Sequence, residues 1–219
     1  MNPNRTELVF ILDRSGSMQG LESDTIGGFN GMLRKQKALE GEVLVSTVLF
    51  SDAYHRLHDR VPIQQVAEMT QREYSVGGCT ALLDAVGRTI DHIDRLQRLT
   101  PEPQRPGKTI FVITTDGQEN ASREYNRAQV KTMIKLRQEE FDWEFFFLGA
   151  NMDAVAAAGA IGIHASRAAG FVNDSMGTQT NFDAVNQAVA AVRRREPLSE
   201  AWKAPIEQDK RRRGSDARG

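Results

Sequence analysis

The sequence has little cysteine and almost no excess of charge, and it has no long hydrophobic run; each shortage excludes a class of protein. One cysteine, Cys79, among 219 residues excludes an intrachain disulfide and is compatible with a reducing compartment. The 28 basic and 29 acidic residues give a net charge of −1, so the overall charge favours neither nucleic acid nor an anionic membrane as a partner. No apolar run approaches the roughly 20 residues of a membrane span, and the N-terminal "MNPNRTELVFILD" lacks the features of a signal peptide. We therefore expect a cytoplasmic protein without a membrane partner.

Short apolar runs alternate with helical patterns along most of the chain. Runs such as "ELVFILD", "VLVSTVLF", "TIFVITT" and "WEFFFLGA" are typical of buried strands, and amphipathic stretches such as "ALLDAVGRTIDHIDRLQRL" separate them. The mixed run "AYHRLHDRV" fits an antiparallel edge strand. This order predicts an α/β fold, a doubly wound and mainly parallel sheet with one antiparallel edge strand and helices on both faces.

Two local patterns give narrower predictions. The segment "VPIQQVAEM" fits a short helix with Pro62 near its first turn. The preceding long helical segment contains Gly27, Gly28 and Gly31, which suggest close packing against the sheet.

The chain divides into one domain over residues 1–196 and a polar C-terminal tail over residues 197–219, which we expect to be mobile. The tail contains the basic run "KRRR" at Lys210 to Arg213, which could contact nucleic acid or an acidic partner. Trp202 stands alone in it, so no series of aromatic residues is present for base stacking. A solvated tail is the better interpretation, and nucleic acid is not the expected partner.

Polar side chains occur where the predicted strands end. Asp13 ends the first strand, Asp116 follows the run "TIFVITT", and Thr80 lies in a glycine loop that opens a helix. Ser15 and Ser17 follow Asp13 at alternating positions. Because ligands of open parallel sheets bind beyond the carboxyl ends of the strands, we expect these five side chains to converge.

The five residues offer two carboxylates and three hydroxyls, with no histidine or cysteine ligand pair. Such oxygens suit hard divalent cations, and Mg²⁺ takes about six of them while keeping several waters. Zinc is disfavoured because it prefers nitrogen and sulfur. We therefore predict a site for Mg²⁺, with Mn²⁺ or Ca²⁺ as alternatives, whose metal ligands are Asp13, Ser15, Ser17, Thr80 and Asp116.

Three loops, "DRSGS", "GGCTAL" and "TTDGQEN", resemble in this order the three parts of the metal-ion-dependent adhesion site of von Willebrand factor A domains. All five positions hold the residue types of that motif. The resemblance extends over roughly residues 5 to 195 through the order of strands and helices, and its specific part is these loops.

The resemblance implies a Rossmann-like fold with a Mg²⁺ or Mn²⁺ site on its top face. In such domains the hydroxyls usually bind the metal directly, the aspartates often act through water, and a glutamate or aspartate of a partner protein fills an open coordination position. Bacterial domains of this kind without signal peptides resemble partners of AAA+ ATPases or stress-operon proteins. The implied function is a metal-dependent protein-interaction module rather than an enzyme.

Simpler interpretations exist for each loop. Asp13 and its two serines could cap a helix and close a turn, Thr80 could be a helix N-cap, and Asp116 with Gly117 forms an ordinary turn pair. Solvated loop residues are the simpler interpretation of Ser51 and Asp52, with support of the metal ligands as the alternative.

The alternative function is a Mg²⁺-dependent hydrolase of phosphatase type that uses the same oxygen cluster. A haloacid-dehalogenase-like phosphatase would need a second aspartate two residues after Asp13, where this chain has Ser15. The sequence also lacks a glycine-rich phosphate loop with lysine and a Gly-x-Ser-x-Gly elbow. The interaction module is therefore the preferred hypothesis.

Overall fold

A computed structural model describes residues 1–216 of the protein, with side chains for residues 1–213. Six strands form a single sheet in the order β3-β2-β1-β4-β5-β6. Their bounds are β1 Asn2–Asp13, β2 Glu42–Phe50, β3 Tyr54–Pro62, β4 Pro106–Thr115, β5 Glu144–Ala150 and β6 Ala168–Phe171.

All strand pairs in the sheet are parallel except β2 with β3, which is antiparallel. Both neighbours of the central strand β1 follow it in sequence, with β2 on one side and β4 on the other. The chain therefore changes direction at β1, and the crevice beyond the carboxyl ends of β1 and β4 is the topological switch point where ligands of such sheets bind. This arrangement confirms the predicted fold class, including the antiparallel edge strand.

Six α-helices cover the two faces of the sheet. Their bounds are α1 Glu22–Lys37, α2 Leu82–Leu99, α3 Arg127–Phe141, α4 Ala154–Ala160, α5 Ser175–Arg193 and α6 Ala204–Asp216. In the described part of the chain, no helix combines the length and apolar character that crossing a membrane requires.

The alternation of side chains along the central strand divides the core into two layers. Leu8, Phe10 and Leu12 face α1, α5 and α6, whereas Val9 and Ile11 face α2, α3 and α4. All five side chains are fully buried, as the continuous apolar run of a central parallel strand predicts. The site at the end of β1 is therefore built on the buried centre of the sheet.

The prediction of a short helix for the segment "VPIQQVAEM" is wrong. Only a single 3₁₀ turn, Ile63–Gln65, forms there. The side chain of Asn30 accepts a hydrogen bond from the backbone N–H of Met69 and donates one to its carbonyl, and Lys37 binds the carbonyl of Val66. Because α1 side chains satisfy these backbone groups, the segment needs no helix to bury its apolar residues.

The described part of the predicted C-terminal tail is folded against the domain. A 3₁₀ helix, Glu200–Lys203, leads into α6. The Trp202 side chain packs edge-on against Phe146 at 5.4 Å between ring centroids, and its indole N–H donates to the carbonyl of Ser166 at 2.9 Å. Ile206 is 1% exposed in the same core layer. Two spaced apolar anchors thus dock a segment whose composition is otherwise polar; residues 217–219 of the predicted tail lie outside the described residues.

Candidate metal site

The first loop folds directly from the end of β1. The backbone N–H of Ser15 donates to Asp13 Oδ1 at 2.7 Å, which bends the chain back over the carboxylate. The hydroxyls of Ser15 and Ser17 share a hydrogen bond at 3.1 Å. Asp13 and Ser15 are each 1% exposed, whereas Ser17 lies at the surface. The loop thus presents a row of oxygens that runs from the core to solvent.

The other two loops meet this row from the side of β4 and α2. The Ser17 hydroxyl donates to Asp116 Oδ1 at 2.5 Å. Gly117 lies between the remaining hydroxyls, since a Cβ placed on it would be 2.5 Å from Thr80 Oγ1 and 3.2 Å from Ser17 Oγ. The structure therefore brings all five predicted residues together, Thr80 through its contact across Gly117.

Backbone hydrogen bonds join the loops to one another. The N–H of Gly16 donates to the carbonyl of Gly78 at 3.0 Å, and the N–H of Gly77 to that of Arg14 at 2.9 Å. The N–H of Thr80 donates to Asn120 Oδ1 at 2.9 Å. Asn120 therefore shapes the site by fixing the second loop to the third.

The third loop is held to the start of α2 by two carboxylates. Asp84 accepts three backbone N–H bonds from residues 123–125, and Glu119 accepts one from the N–H of Leu83. Burial works against the Asp84 charge, but these three donors outweigh it and lower the pKa of Asp84. The loop that presents Asp116 is therefore fixed at several points rather than free.

Ser51 and Asp52 lie beside the five residues and not among them. The Ser51 hydroxyl donates to Asp52 Oδ1 at 3.1 Å, and this carboxylate packs against Gly78 of the second loop. Gly78 has a φ of +80°, and a Cβ there would overlap the Asp52 carboxylate, so only glycine fits. The pair supports the second loop.

Burial dominates the electrostatics of the two site carboxylates. It raises the pKa of Asp13, although hydrogen bonds from Ser15 and Thr115 act in the opposite direction. It also raises the pKa of Asp116, against hydrogen bonds from Ser17 and Asn173. Among the described residues, no arginine, lysine or histidine pairs with either carboxylate. The buried Asp13 and the half-buried Asp116 thus lack a described cationic partner that would offset the cost of removing a carboxylate from water.

A divalent cation fits this donor set. Two carboxylates that no side chain neutralises flank a pair of hydroxyls, and all the donors are hard oxygens. Asp13 does close a turn with the Ser15 N–H, but the helix-capping interpretation fails, because the Ser15 side chain makes no capping hydrogen bond and the N-cap of α2 is Ala81 rather than Thr80. The oxygens are therefore available to a ligand rather than used in terminating helices.

Three residues that the sequence did not place in the site also contact its aspartates, two at the carboxylate and one at the backbone carbonyl. The Thr115 hydroxyl donates to Asp13 Oδ2 at 2.5 Å, and the buried Tyr74 hydroxyl donates to the Asp13 carbonyl. Asn173 Nδ2, from the loop before α5, donates to Asp116 Oδ2 at 3.0 Å. Thr115 stands next to Asp116 at the strand end, so its position in the sequence could have assigned it to the site. Tyr74 and Asn173 lie far from the motif, and only the fold reveals them.

Solved structures with the same architecture identify the fold. The von Willebrand factor domain of the type V pili tip protein Mfa5 from Porphyromonas gingivalis aligns over 89% of this chain and 98% of its own, with a TM-score of 0.59 and 11% identity. Proximal thread matrix protein 1 from the mussel byssus, solved with a zinc-occupied MIDAS motif (the metal-ion-dependent adhesion site), aligns over 84% of this chain with a TM-score of 0.58 and 14% identity. A von Willebrand factor type A structure from Catenulispora acidiphila aligns over 83% of this chain, and 42% of its own, with a TM-score of 0.53 and 13% identity.

The chain therefore has the von Willebrand factor A fold. It spans 46% of the length of the mussel protein, which is less than half. No protein-family model matches the sequence, and no curated protein matches it. At these identities the likeness shows the fold alone, and the chemistry must be argued from the site.

Proposed function

We propose that this protein is a metal-dependent protein-interaction module. One observation supports this function most directly. Two aspartates that have no cationic partner among the described residues lie at the switch point of the sheet. Ser15 links to Asp13 through its backbone N–H, and the hydroxyls of Ser15 and Ser17 continue the link to Asp116. A divalent cation would neutralise both carboxylates and use the hydroxyls as further ligands.

Each residue has a defined part in holding the cation. The hydroxyls of Ser15, Ser17 and Thr80 would bind it directly, and Asp13 and Asp116 would bind it through water, as in the domains that the motif resembles. The bound cation supplies a positive charge at the top face, which attracts a carboxylate. Ser17 is exposed and Asp116 half-buried, so this end of the donor row is the one a partner reaches. The partner would offer a glutamate or aspartate there.

Mg²⁺ is the cation that we propose, with Mn²⁺ or Ca²⁺ as alternatives. The donor set is entirely oxygen, which favours hard cations over zinc. The zinc-occupied MIDAS motif of the mussel protein shows that a motif of this kind accommodates other divalent ions. A comparison of Mg²⁺, Mn²⁺, Ca²⁺ and Zn²⁺ at equal concentration therefore belongs in any binding experiment.

We propose binding rather than catalysis as the activity of this site. The residues that contact Asp13 and Asp116 offer hydroxyl and amide groups, and no histidine, lysine or cysteine is among their described contacts. Hydrolysis of phosphate esters that depends on Mg²⁺ and disappears in Ser15→Ala would support the hydrolase alternative instead. A cytoplasmic location and a partner among AAA+ ATPases or stress-operon proteins stay predictions.

A pull-down of the full chain with Mg²⁺ or with a chelator tests the proposed function. We expect a partner that is retained with Mg²⁺ and released by the chelator, because the cation would join the two proteins. The Ser17→Ala variant should fail to retain the partner even with Mg²⁺. Ser166→Ala, remote from the site on the loop before β6, should retain it with Mg²⁺ and release it with the chelator, as the wild type does. Retention that is the same with Mg²⁺ and with chelator would contradict the proposal.

A further inference from the structure

A second polar groove lies at the opposite edge of the sheet from β6, between the edge strand β3 and helix α2. It has a volume of about 500 Å³. Its lining residues are cationic or able to carry a proton, with one phenol among them, and none is a carboxylate: Tyr54, His55, Arg56, Arg88, His92 and Arg95. A protein with a net charge of −1 has concentrated three guanidinium groups and two imidazoles in one place.

The secondary structure explains why these side chains share the groove. Arg88, His92 and Arg95 follow one another at steps of four and three along α2, so they lie on one face of that helix. Tyr54 and Arg56 alternate along β3 and therefore point to the same side of the sheet. One helix face and one strand face thus supply five of the six lining residues, and His55 joins them from the intervening position of β3.

Nearby carboxylates hold part of this positive charge in place. Asp59 lies 3.2 Å from Arg56 and 2.8 Å from the Nε2 atom of His92, and Glu124 binds Arg88 through two hydrogen bonds at 2.7 and 2.5 Å. Arg56 also lies 3.1 Å from His92 Nδ1. These contacts hold the side chains of Arg56, Arg88 and His92 in position and leave Arg95 without a described carboxylate partner.

The remaining cationic groups are not paired. In the described part of the chain, Arg95 and His55 make no hydrogen bond or ion pair, and both are exposed. Carboxylates thus accompany Arg56 and Arg88, whereas the Arg95 guanidinium makes no described contact and is free to bind an anion in the groove.

We propose that this groove binds the phosphate group of a small molecule, either free phosphate or a phosphate ester. Planar guanidinium groups present paired N–H donors that match the oxygens of phosphate, and charge-assisted hydrogen bonds of this kind are among the strong ones. The volume lies within the range of small-molecule pockets and exceeds the need of a single inorganic ion. The face of the Tyr54 ring is covered by Arg88, whose guanidinium carbon lies 5.6 Å from the ring centroid, so recognition rests on the phosphate and not on stacking of a base.

Isothermal titration of the full chain with inorganic phosphate, pyrophosphate and adenosine monophosphate tests this assignment. The titrations are made with a chelator present, so that the metal site does not contribute. We expect saturable binding of at least one probe, about tenfold weaker for each guanidinium removed in Arg56→Gln, Arg95→Gln and the double variant. The control is Arg34→Gln, which removes an exposed guanidinium of α1 that pairs with Glu68. This variant should bind the probes as the wild type does.

The probes distinguish the source of the phosphate group. Tighter binding of adenosine monophosphate identifies an ester, and tighter binding of phosphate or pyrophosphate identifies the free ion; either result supports the groove. Arg95 is exposed and makes no described contact, so Arg95→Gln should fold normally and keeps the experiment interpretable. The proposal is overturned if no probe saturates, if the groove variants bind as the wild type does, or if Arg34→Gln weakens binding as strongly as Arg95→Gln.

Discussion

At the residue scale, this protein keeps several charged groups in the interior, and each has a different solution to the cost of burial. Asp84 is satisfied by three backbone N–H donors, and Glu7 is paired with Arg60 at 2.9 Å. Asp13 and Asp116 have hydroxyl and amide donors but no described cation. A buried carboxylate without a counter-charge is expensive, so these two are the residues where a cation would stabilise the folded protein most.

Glu7 offers a test of this electrostatic description away from the site. Its side chain is fully buried, and burial raises the pKa of Glu7 from an ordinary value of 4.5 to about 7, against the influence of Arg60. Between these values the folded protein keeps a proton that the unfolded chain loses. The stability that Glu7 provides is therefore complete below about pH 4.5 and is lost as the pH rises through about 7.

Glu7→Gln stays neutral at every pH and removes this dependence. We expect the unfolding free energy of the wild type, measured relative to the variant by urea denaturation, to fall by on the order of 1–3 kcal/mol between about pH 5 and pH 8. A difference between the two proteins that stays constant over this range would show that Glu7 is ionised in the folded protein throughout.

At the element scale, the contact between α1 and α5 is set by one glycine. Gly28 lies directly against the ring of Phe182, whereas a Cβ at the preceding Gly27 would meet no atom within 4 Å. From the sequence, the α1 glycines are expected to pack against the sheet. The contact is instead with a helix on the same face, because α5 returns beside α1 after the last strand.

The two glycines provide a matched pair of substitutions. Gly28→Ala should destabilise the protein by about 1–3 kcal/mol because the added methyl overlaps Phe182. Gly27→Ala should be neutral or stabilising by up to about 1 kcal/mol because alanine favours the helix and meets nothing there. Thermal unfolding of both variants checks this, and equal effects would mean that α1 and α5 are not packed as described.

The elements differ in how far the sequence could predict them. Strong periodicity revealed the buried strands and the amphipathic α2, most of whose apolar residues are buried. Ile63, Val66 and Met69 have helical spacing and are indeed buried, yet Asn30 and Lys37 bind the backbone of this segment and keep it out of a helix. No local pattern reports hydrogen bonds between side chains of one segment and the backbone of another.

At the scale of the whole molecule, the C-terminal segment is part of the fold. Trp202 and Ile206 complete the core layer that contains Phe146 and lies under α5. Sequence reasoning missed this because the surrounding residues are polar and charged, and composition does not register two isolated anchors. The position of the candidate metal site, by contrast, could be predicted from the sequence. The sheet order alone brings Asp13 and Asp116 to adjacent strand ends, as the rule for parallel sheets predicts.

Trp202→Ala tests whether the segment is structural. We expect a loss of about 3–5 kcal/mol of unfolding free energy, because a buried indole and its hydrogen bond to Ser166 disappear. Phe141→Ala is the control, since that ring is 43% exposed on α3 and its loss should cost much less. If both substitutions had small and similar effects in urea denaturation, the segment would not be docked on the core in solution.

The central claim, that the oxygen cluster at the switch point holds a divalent cation, is tested most directly by the melting temperature as a function of Mg²⁺ concentration. The proteins compared are the wild type, Asp13→Ala, Asp116→Ala and the control Asp183→Ala, whose carboxylate pairs with Lys35 at the surface. A bound ion at one hundred times its Kd adds about 2.7 kcal/mol of stability. The account predicts that Mg²⁺ raises the melting temperature of the wild type and of Asp183→Ala and leaves Asp13→Ala and Asp116→Ala unchanged. An equal rise in all four proteins, or no rise in any with Mg²⁺, Mn²⁺ or Ca²⁺, would contradict it.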